Sequence, residues 1–422
     1  MKINSCKANL SGSISIPGSK SHTIRAVAIA TMADGRSVLH EALDSADTRS
    51  ALEAARIFGA KVQSSGNTII IDGIGKKSIP AGSLIDVGNS GTTLRIFTAL
   101  ASLSDVEVKF DGDNSIRQRL MTNLFDALSK LDVTINSTNQ KCPFSITGPI
   151  SGGKTTVNGL SSQFVTAVLF AAPLAKNDTE IEVVNLHEKP YVQITLDWLD
   201  KQGIIYENKG LEWFKIKGGQ YYKPFDERIA ADFSSATFAL SAAAVTGSEV
   251  KILGLDFNDQ QGDKKVFEYL EQMGMKINKQ PNEVVVEGGN LHGIEIDMND
   301  TPDALPALAV VGCFAKGTTK LLNVAQARLK ECDRISAITK ELRKMGADIE
   351  ELSDGLIIHQ SELSGTDVHG YDDHRMVMSL AIAGMAARGN TIIDTAESAK
   401  ITYPTFIQDM NALGAKITIV EE

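Results

Sequence analysis

Two kinds of apolar pattern alternate along the chain, and their spacing organises everything else. The first is an amphipathic helix that ends in a small turn and runs into a strand: "ALEAARIFGAKV", "LFDALSKLDVTI", "TLDWLDKQGIIY", "VFEYLEQMGMKI", "ITKELRKMGADI" and "FIQDMNALGAKI". Its turn positions are Gly59, Asp132, Gly203, Gly274, Gly346 and Gly414, which lie 73, 71, 71, 72 and 68 residues apart. That regularity marks an internal repeat, with a period longer than that of common solenoids. Five of the six turns carry glycine, which suits the left-handed position closing a helix. The second pattern is a polar or glycine-rich start followed by a helix of small apolar residues: "SKSHTIRAVAIATMADG", "GNSGTTLRIFTALASL", "SSQFVTAVLFAAPLA", "DFSSATFALSAAAVTG", "DALPALAVVGCFAKG" and "DDHRMVMSLAIAGMAARG". Helices apolar on nearly every face belong inside, and the amphipathic set should cover them. Alternating segments such as "NTIIIDG", "PFSITG", "FKIKG", "EVVVEG", "LIIHQ" and "KITIV" predict the strands that close each unit. The expectation is an α/β fold of six units, each buried helix, strand, exposed helix, strand, packed as two domains of three units of about 70 residues.

Composition changes this picture little. The 422 residues are 43% hydrophobic, 22% charged and 6% aromatic, ordinary for globular domains with substantial cores. A net charge of −10 argues against a nucleic-acid partner, which usually requires a basic face. Cys6, Cys142, Cys313 and Cys332 are scattered and contain no C-x-x-C pair, so neither zinc nor a disulfide framework is expected. No apolar run approaches the length of a membrane span, and "MKINSCKANL" lacks an apolar signal core. A soluble, cytoplasmic protein with no membrane partner is expected.

Against the acidic background, basic and polar residues gather at the starts of the buried helices: Lys20, Asn89, Ser161, Ser162, Asp232, Asp303 and the pair His374 and Arg375. Helix starts offer free N–H groups and a partial positive charge. Parallel inner helices would aim those dipoles at one cleft, which favours anions. "IPGSKSHTIRA" is not a P-loop, since no glycine stands at position 13, but it sets Lys20 and Arg25 beside such a start. Plainer readings exist for each motif. Glu331 and Arg334 in "LKECDR" are spaced as an ordinary helical ion pair, "DDHRM" and "SSQF" serve as helix caps, and Asp303 suits a first turn. Equivalent positions in separate repeats favour a shared purpose.

The stretches "PGSKSHTIRA", "GNSGTTLR", "DGDNSIRQR", "SSQFVTAVLFAAPLA", "KPYVQITL", "DMNDTPDALPALAV", "LKECDR", "DDHRM" and "SAKITYP" occur in the order found in the enolpyruvyl transferases, and essentially the whole chain resembles that family. The resemblance implies two domains, each an inside-out α/β barrel of three repeats. The discontinuous one would hold residues 1–18 and 228–422, the continuous one residues 19–227. It further implies transfer of the enolpyruvyl group of phosphoenolpyruvate to the 5-hydroxyl of shikimate 3-phosphate, with loss of phosphate from a tetrahedral intermediate. By the same resemblance Lys20, Ser21, Arg25, Ser161, Ser162, Gln163, Tyr191, Gln326 and Lys330 would hold the shikimate side. Phosphoenolpyruvate would meet Lys20, Gly91, Arg119, Gln163, Arg334, Arg375 and Lys400, with Asn89 and Asp303 as further substrate-binding candidates; the substrates are small molecules, and a monomer with no metal or cofactor is expected. Asp303 is the candidate to take the hydroxyl proton, Glu331 with Lys20 to protonate carbon, and His374 to orient or relay. Glyphosate would compete near Gly91.

Two alternatives stay open. A branch of the family uses a UDP-N-acetylglucosamine acceptor and carries a cysteine in a mobile loop, whereas "FDGDNSIRQR" has none. A non-catalytic phosphometabolite-binding protein would gain nothing from keeping Lys20, Asp303 and Glu331 together. One departure stands out. Where the family has a small hydroxyl residue before "KPY", this chain has Glu188. Either its carboxylate turns away to pair with Lys189 or another cation, or the acceptor carries no phosphate there.

Overall fold

The computed structural model describes residues 1–75, 77, 79–280 and 283–420. Among them are twelve α-helices: α1 (Lys20–Met32), α2 (Ala46–Phe58), α3 (Gly91–Ala101), α4 (Thr122–Ser129), α5 (Ser162–Ala171), α6 (Lys189–Gln202), α7 (Phe233–Thr246), α8 (Lys265–Gln272), α9 (Leu305–Phe314), α10 (Arg334–Lys344), α11 (His374–Ala386) and α12 (Phe406–Ala412). Odd-numbered helices are the small-residue segments and lie almost wholly in the core; every residue of α3, and Leu305–Cys313 of α9, is buried. Even-numbered helices bury one stripe, such as Ala51, Ala54, Ala55 and Phe58 of α2. All six repeat turns have positive φ, from 67° at Asp132 to 108° at Gly274. Glycine takes that conformation freely, and Asp132 reaches it against a steric cost.

Strands form six four-stranded sheets of one design. In the sheet of Leu84–Asp86, Val108–Asp111, Phe144–Thr147 and Thr134–Ser137, the first pair is parallel and the other two pairs are antiparallel. The chain order within a repeat is therefore edge strand, inner helix, strand, outer helix, then a hairpin. Each repeat holds two strands more than the apolar pattern predicts, because edge strands such as Leu84–Asp86 are only three residues long. The strand "KITIV" also has a different role from the one expected. Lys416–Val420 is the outer hairpin strand, and the sixth unit is closed by Lys2–Cys6, which pairs antiparallel with both Asn390–Ile393 and Lys416–Val420. No pattern local to the last repeat could reveal a strand supplied from the other end of the chain.

Two compact units result, Met1–Pro17 with Ala230–Glu422, and Gly18–Ile229. Each has its own apolar core. Strand Ser13–Ser15 runs parallel to Glu249–Leu253 in the discontinuous unit, and Asp226–Arg228 runs parallel to Arg36–His40 in the continuous one.

Candidate active site

Inner helices open on capped starts. Ser19, Ser90, Ser161, Asp232 and Asp373 accept backbone N–H groups at α1, α3, α5, α7 and α11. The sixth, α9, follows a 3-10 turn, Pro302–Ala304, that carries Asp303. Capping explains why these residue types recur there, and it leaves the neighbouring side chains to be read one by one.

In the continuous unit, Lys20 at the first position of α1 meets Asp47 of α2, with Nζ 3.2 Å from Oδ2 and both side chains largely buried. Arg25, one turn further along, is 2% exposed. Its Nε donates to Thr195 Oγ1 at 3.0 Å, Nη1 to the Ser21 carbonyl at 2.9 Å, and Nη2 to Thr166 Oγ1 at 3.3 Å and the Tyr191 carbonyl at 2.9 Å. Burial pushes its pKa down to about 10, against an opposing effect of Tyr191. Four of the five guanidinium donors thus bind α1, α5 and α6 together, and a ligand would be left with one.

Around Gly91 the donors are two arginines. A Cβ added there would lie 2.5 Å from Arg95 Nη1, 2.7 Å from Arg119 Nη1 and 3.5 Å from Gln163 Oε1. Arg119 Nη2 also donates to Ser115 Oγ at 3.2 Å and Asn89 Oδ1 at 3.5 Å, while Asn89 Nδ2 holds Asp113 at 2.7 Å. Arg117 of the same loop is exposed and forks onto Asp111 at 2.9 and 2.7 Å. Arg95 was not among the residues singled out from sequence, although it lies four positions after Gly91 and so one turn along the same helix face. It is buried, with its guanidinium carbon 5.7 Å from the centre of the Phe164 ring. Gln163 Nε2 donates to Thr92 Oγ1 at 3.3 Å. Glu188, 2% exposed, accepts from Ser162 Oγ at 2.8 Å and Ser162 N at 3.3 Å. Ser162, at a helix start, is thus one partner of this carboxylate.

In the discontinuous unit, Arg334 at the start of α10 gathers three acids. Nε and Nη2 donate to Asp373 at 2.8 and 3.2 Å, Nη1 to Asp303 at 2.7 Å, and Nη2 to Glu331 at 2.6 Å. Burial alone would lower its pKa, but Asp373, Glu331 and Asp303 outweigh that and raise it well above the usual arginine value. Asp303 is shared, since Arg375 Nη2 lies 3.1 Å and Lys330 Nζ 3.6 Å from its carboxylate. Three cations and three carboxylates interlock. Glu331 and Arg334 do pair, but not along a helix as their spacing suggested, since Glu331 lies in the bend before α10; Asp373 adds a contact that spacing could not show. His374 is 1% exposed with Nδ1 3.9 Å from Asp373, and Gln326 is buried with Nε2 on the Asn299 carbonyl at 3.1 Å. Gln326 Oε1 has no hydrogen-bond partner among the described residues. Lys400 lies exposed on the 3-10 turn Ala396–Ile401 and has no ion pair among the described residues. Among those residues, no three of His, Cys, Asp or Glu come together as a metal site.

Six repeats of this design, with Lys20, Asp303, Asp373 and Arg375 at or beside the starts of inner helices, fit what the resemblance to the enolpyruvyl transferases implies. A model of the EPSP synthase (3-phosphoshikimate 1-carboxyvinyltransferase) family matches residues 5–410, and the chain belongs to that family. It is 48% and 47% identical to the 3-phosphoshikimate 1-carboxyvinyltransferases of Acetivibrio thermocellus and Ruminiclostridium cellulolyticum, over 98% of this chain and 99% of theirs. An EPSP synthase structure from Acinetobacter baumannii superposes with a TM-score of 0.84 at 25% identity, covering 99% of this chain and all of that one. The protein is accordingly an enzyme of the shikimate route to aromatic amino acids, which transfers the enolpyruvyl group of phosphoenolpyruvate to shikimate 3-phosphate. No helix among the described residues is long and apolar enough to cross a membrane.

Proposed function

We propose that the interlocked acids around Arg334 are the proton-transfer groups of this reaction, held as ion pairs until a substrate anion replaces them. The observation that carries this reading is the sharing of Asp303 between Arg334 at 2.7 Å and Arg375 at 3.1 Å. Both arginines are forks suited to a carboxylate or phosphate. When phosphoenolpyruvate takes those donors, Asp303 and Glu331 lose their counter-charges. Asp303 then accepts the proton of the acceptor hydroxyl, while Glu331, its counter-charge gone, takes up a proton from the Lys20 ammonium and delivers it to the methylene carbon. The addition leaves a tetrahedral intermediate, and its collapse returns a methyl proton to Glu331 as the carbon–oxygen bond to phosphate breaks and phosphate leaves. Lys20, Asn89, Gly91, Arg119, Gln163, Arg334, Arg375 and Lys400 hold phosphoenolpyruvate, with Arg95 added to that set by its contact with position 91.

Lys20, Ser21, Arg25, Ser161, Ser162, Gln163, Tyr191, Gln326 and Lys330 hold the acceptor. Arg25 contributes mainly by fixing the carbonyls of Ser21 and Tyr191. The orphaned Gln326 Oε1 is suited to a ring hydroxyl. His374 orients Asp373. A monomeric cytoplasmic enzyme is consistent with these small-molecule substrates.

Asp303→Asn and Glu331→Gln remove the ionisable groups at nearly constant size. General acid–base roles predict that each lowers kcat by at least about a hundredfold, with KM for either substrate changed far less. Steady-state phosphate release measures both quantities. A rise in KM alone would reduce the two acids to structural counter-ions.

A further inference from the structure

Glu188 is a carboxylate placed where an incoming anion would be welcome. It precedes α6 with φ 56°, a left-handed conformation that an L side chain adopts only against steric resistance. Its side chain is buried, and burial of a carboxylate is unfavourable unless strong donors meet it. Two such donors are the N–H and Oγ–H of Ser162, the first residue of α5. Ser161, the cap of the same helix, has its own oxygen turned to Gln163 N at 3.4 Å. The start of α5 is therefore already serving an anion from its own chain. Backbone strain and a buried charge at one residue persist together only where the surroundings fix them, and such places concentrate at functional sites.

We infer that Glu188 is a specificity-determining residue: an intramolecular anion that competes with the acceptor's phosphate for Ser162 and sets how strongly the phosphate contributes to acceptor binding. The inference rests on the proposed reading in which Ser161 and Ser162 hold the acceptor, and takes its phosphate as the group they meet. A phosphate reaching Ser162 either displaces the Glu188 carboxylate or shares its donors at close range, and like charges at that distance repel strongly. Both outcomes weaken shikimate 3-phosphate relative to shikimate, which brings no charge to this point. A merely structural role has a different signature. A carboxylate at a helix start also stabilises the helix, so its loss would lower the melting temperature without discriminating between ligands.

The test is calorimetric titration of shikimate 3-phosphate and of shikimate into wild type, Glu188→Ser and Glu188→Gln. Glu188→Gln keeps the size and an acceptor oxygen for Ser162, which guards against a variant that fails to fold. Glu188→Ser is expected to tighten shikimate 3-phosphate at least tenfold, about 1.4 kcal/mol. Glu188→Gln should move it the same way by less, and shikimate should change less than threefold in either. Phosphate-independent tightening of both ligands, or unchanged or weaker shikimate 3-phosphate in both variants, overturns the role of Glu188 while leaving the acceptor site standing. If none of the three proteins binds shikimate 3-phosphate, the assignment of Ser161 and Ser162 falls, and the inference with it.

Discussion

At Gly91 one added carbon would press on two guanidinium groups at once, at 2.5 and 2.7 Å. Both are ends of flexible side chains, so Gly91→Ala should fold normally and displace Arg95 and Arg119 by several tenths of an ångström. Displacements of that order in a positioned reactant cost roughly tenfold to a hundredfold in rate. We expect kcat/KM for phosphoenolpyruvate to fall within that range, and inhibition by glyphosate to weaken by more. Inhibition constants measured on both proteins decide it, since equal inhibition would remove Gly91 from the site. Residues of this kind were partly legible from the chain. Asn89, Gly91 and Arg119 could be named from motifs, whereas Asp47 and Arg95 could not, because their significance lies in a partner. Asp47 matters through Lys20 at 3.2 Å and Arg95 through the space over position 91. Arg25 was legible as a functional cation, yet most of its donors bind its own fold.

Helices were more legible than strands. A 3.6-residue apolar period extends over ten or more residues, and burial on all faces leaves a composition that no surface helix shares. Strands of three residues carry no period, which is why the edge strands Leu84–Asp86, Asp226–Arg228 and Glu295–Asp297 escaped notice. The first strand was hidden for another reason, since its partners are hundreds of residues away. Ile3 lies in the middle of its sheet, fully buried between Ile393 and Ile419. Ile3→Ala should therefore behave as a core truncation and destabilise the protein by about 2–5 kcal/mol. Urea unfolding measures it. A loss under about 1 kcal/mol, the range of surface changes, would mean that the strand merely decorates the sixth repeat.

The whole chain carries a net charge of −10, yet its function depends on cations, and the structure reconciles the two by giving many of those cations a carboxylate. Lys20 has Asp47, and Arg334 has Asp303, Glu331 and Asp373. Such pairs offset buried charge, and under the proposed mechanism exchange of counter-ions couples substrate binding to release of the reacting acids. The most direct measurement is phosphate release by the purified wild-type protein supplied with phosphoenolpyruvate and shikimate 3-phosphate, with the enolpyruvyl product quantified in the same samples. The account predicts one phosphate released per enolpyruvyl group transferred, and none when either substrate is omitted. Phosphate release without the acceptor, or no release with both substrates present, would contradict it.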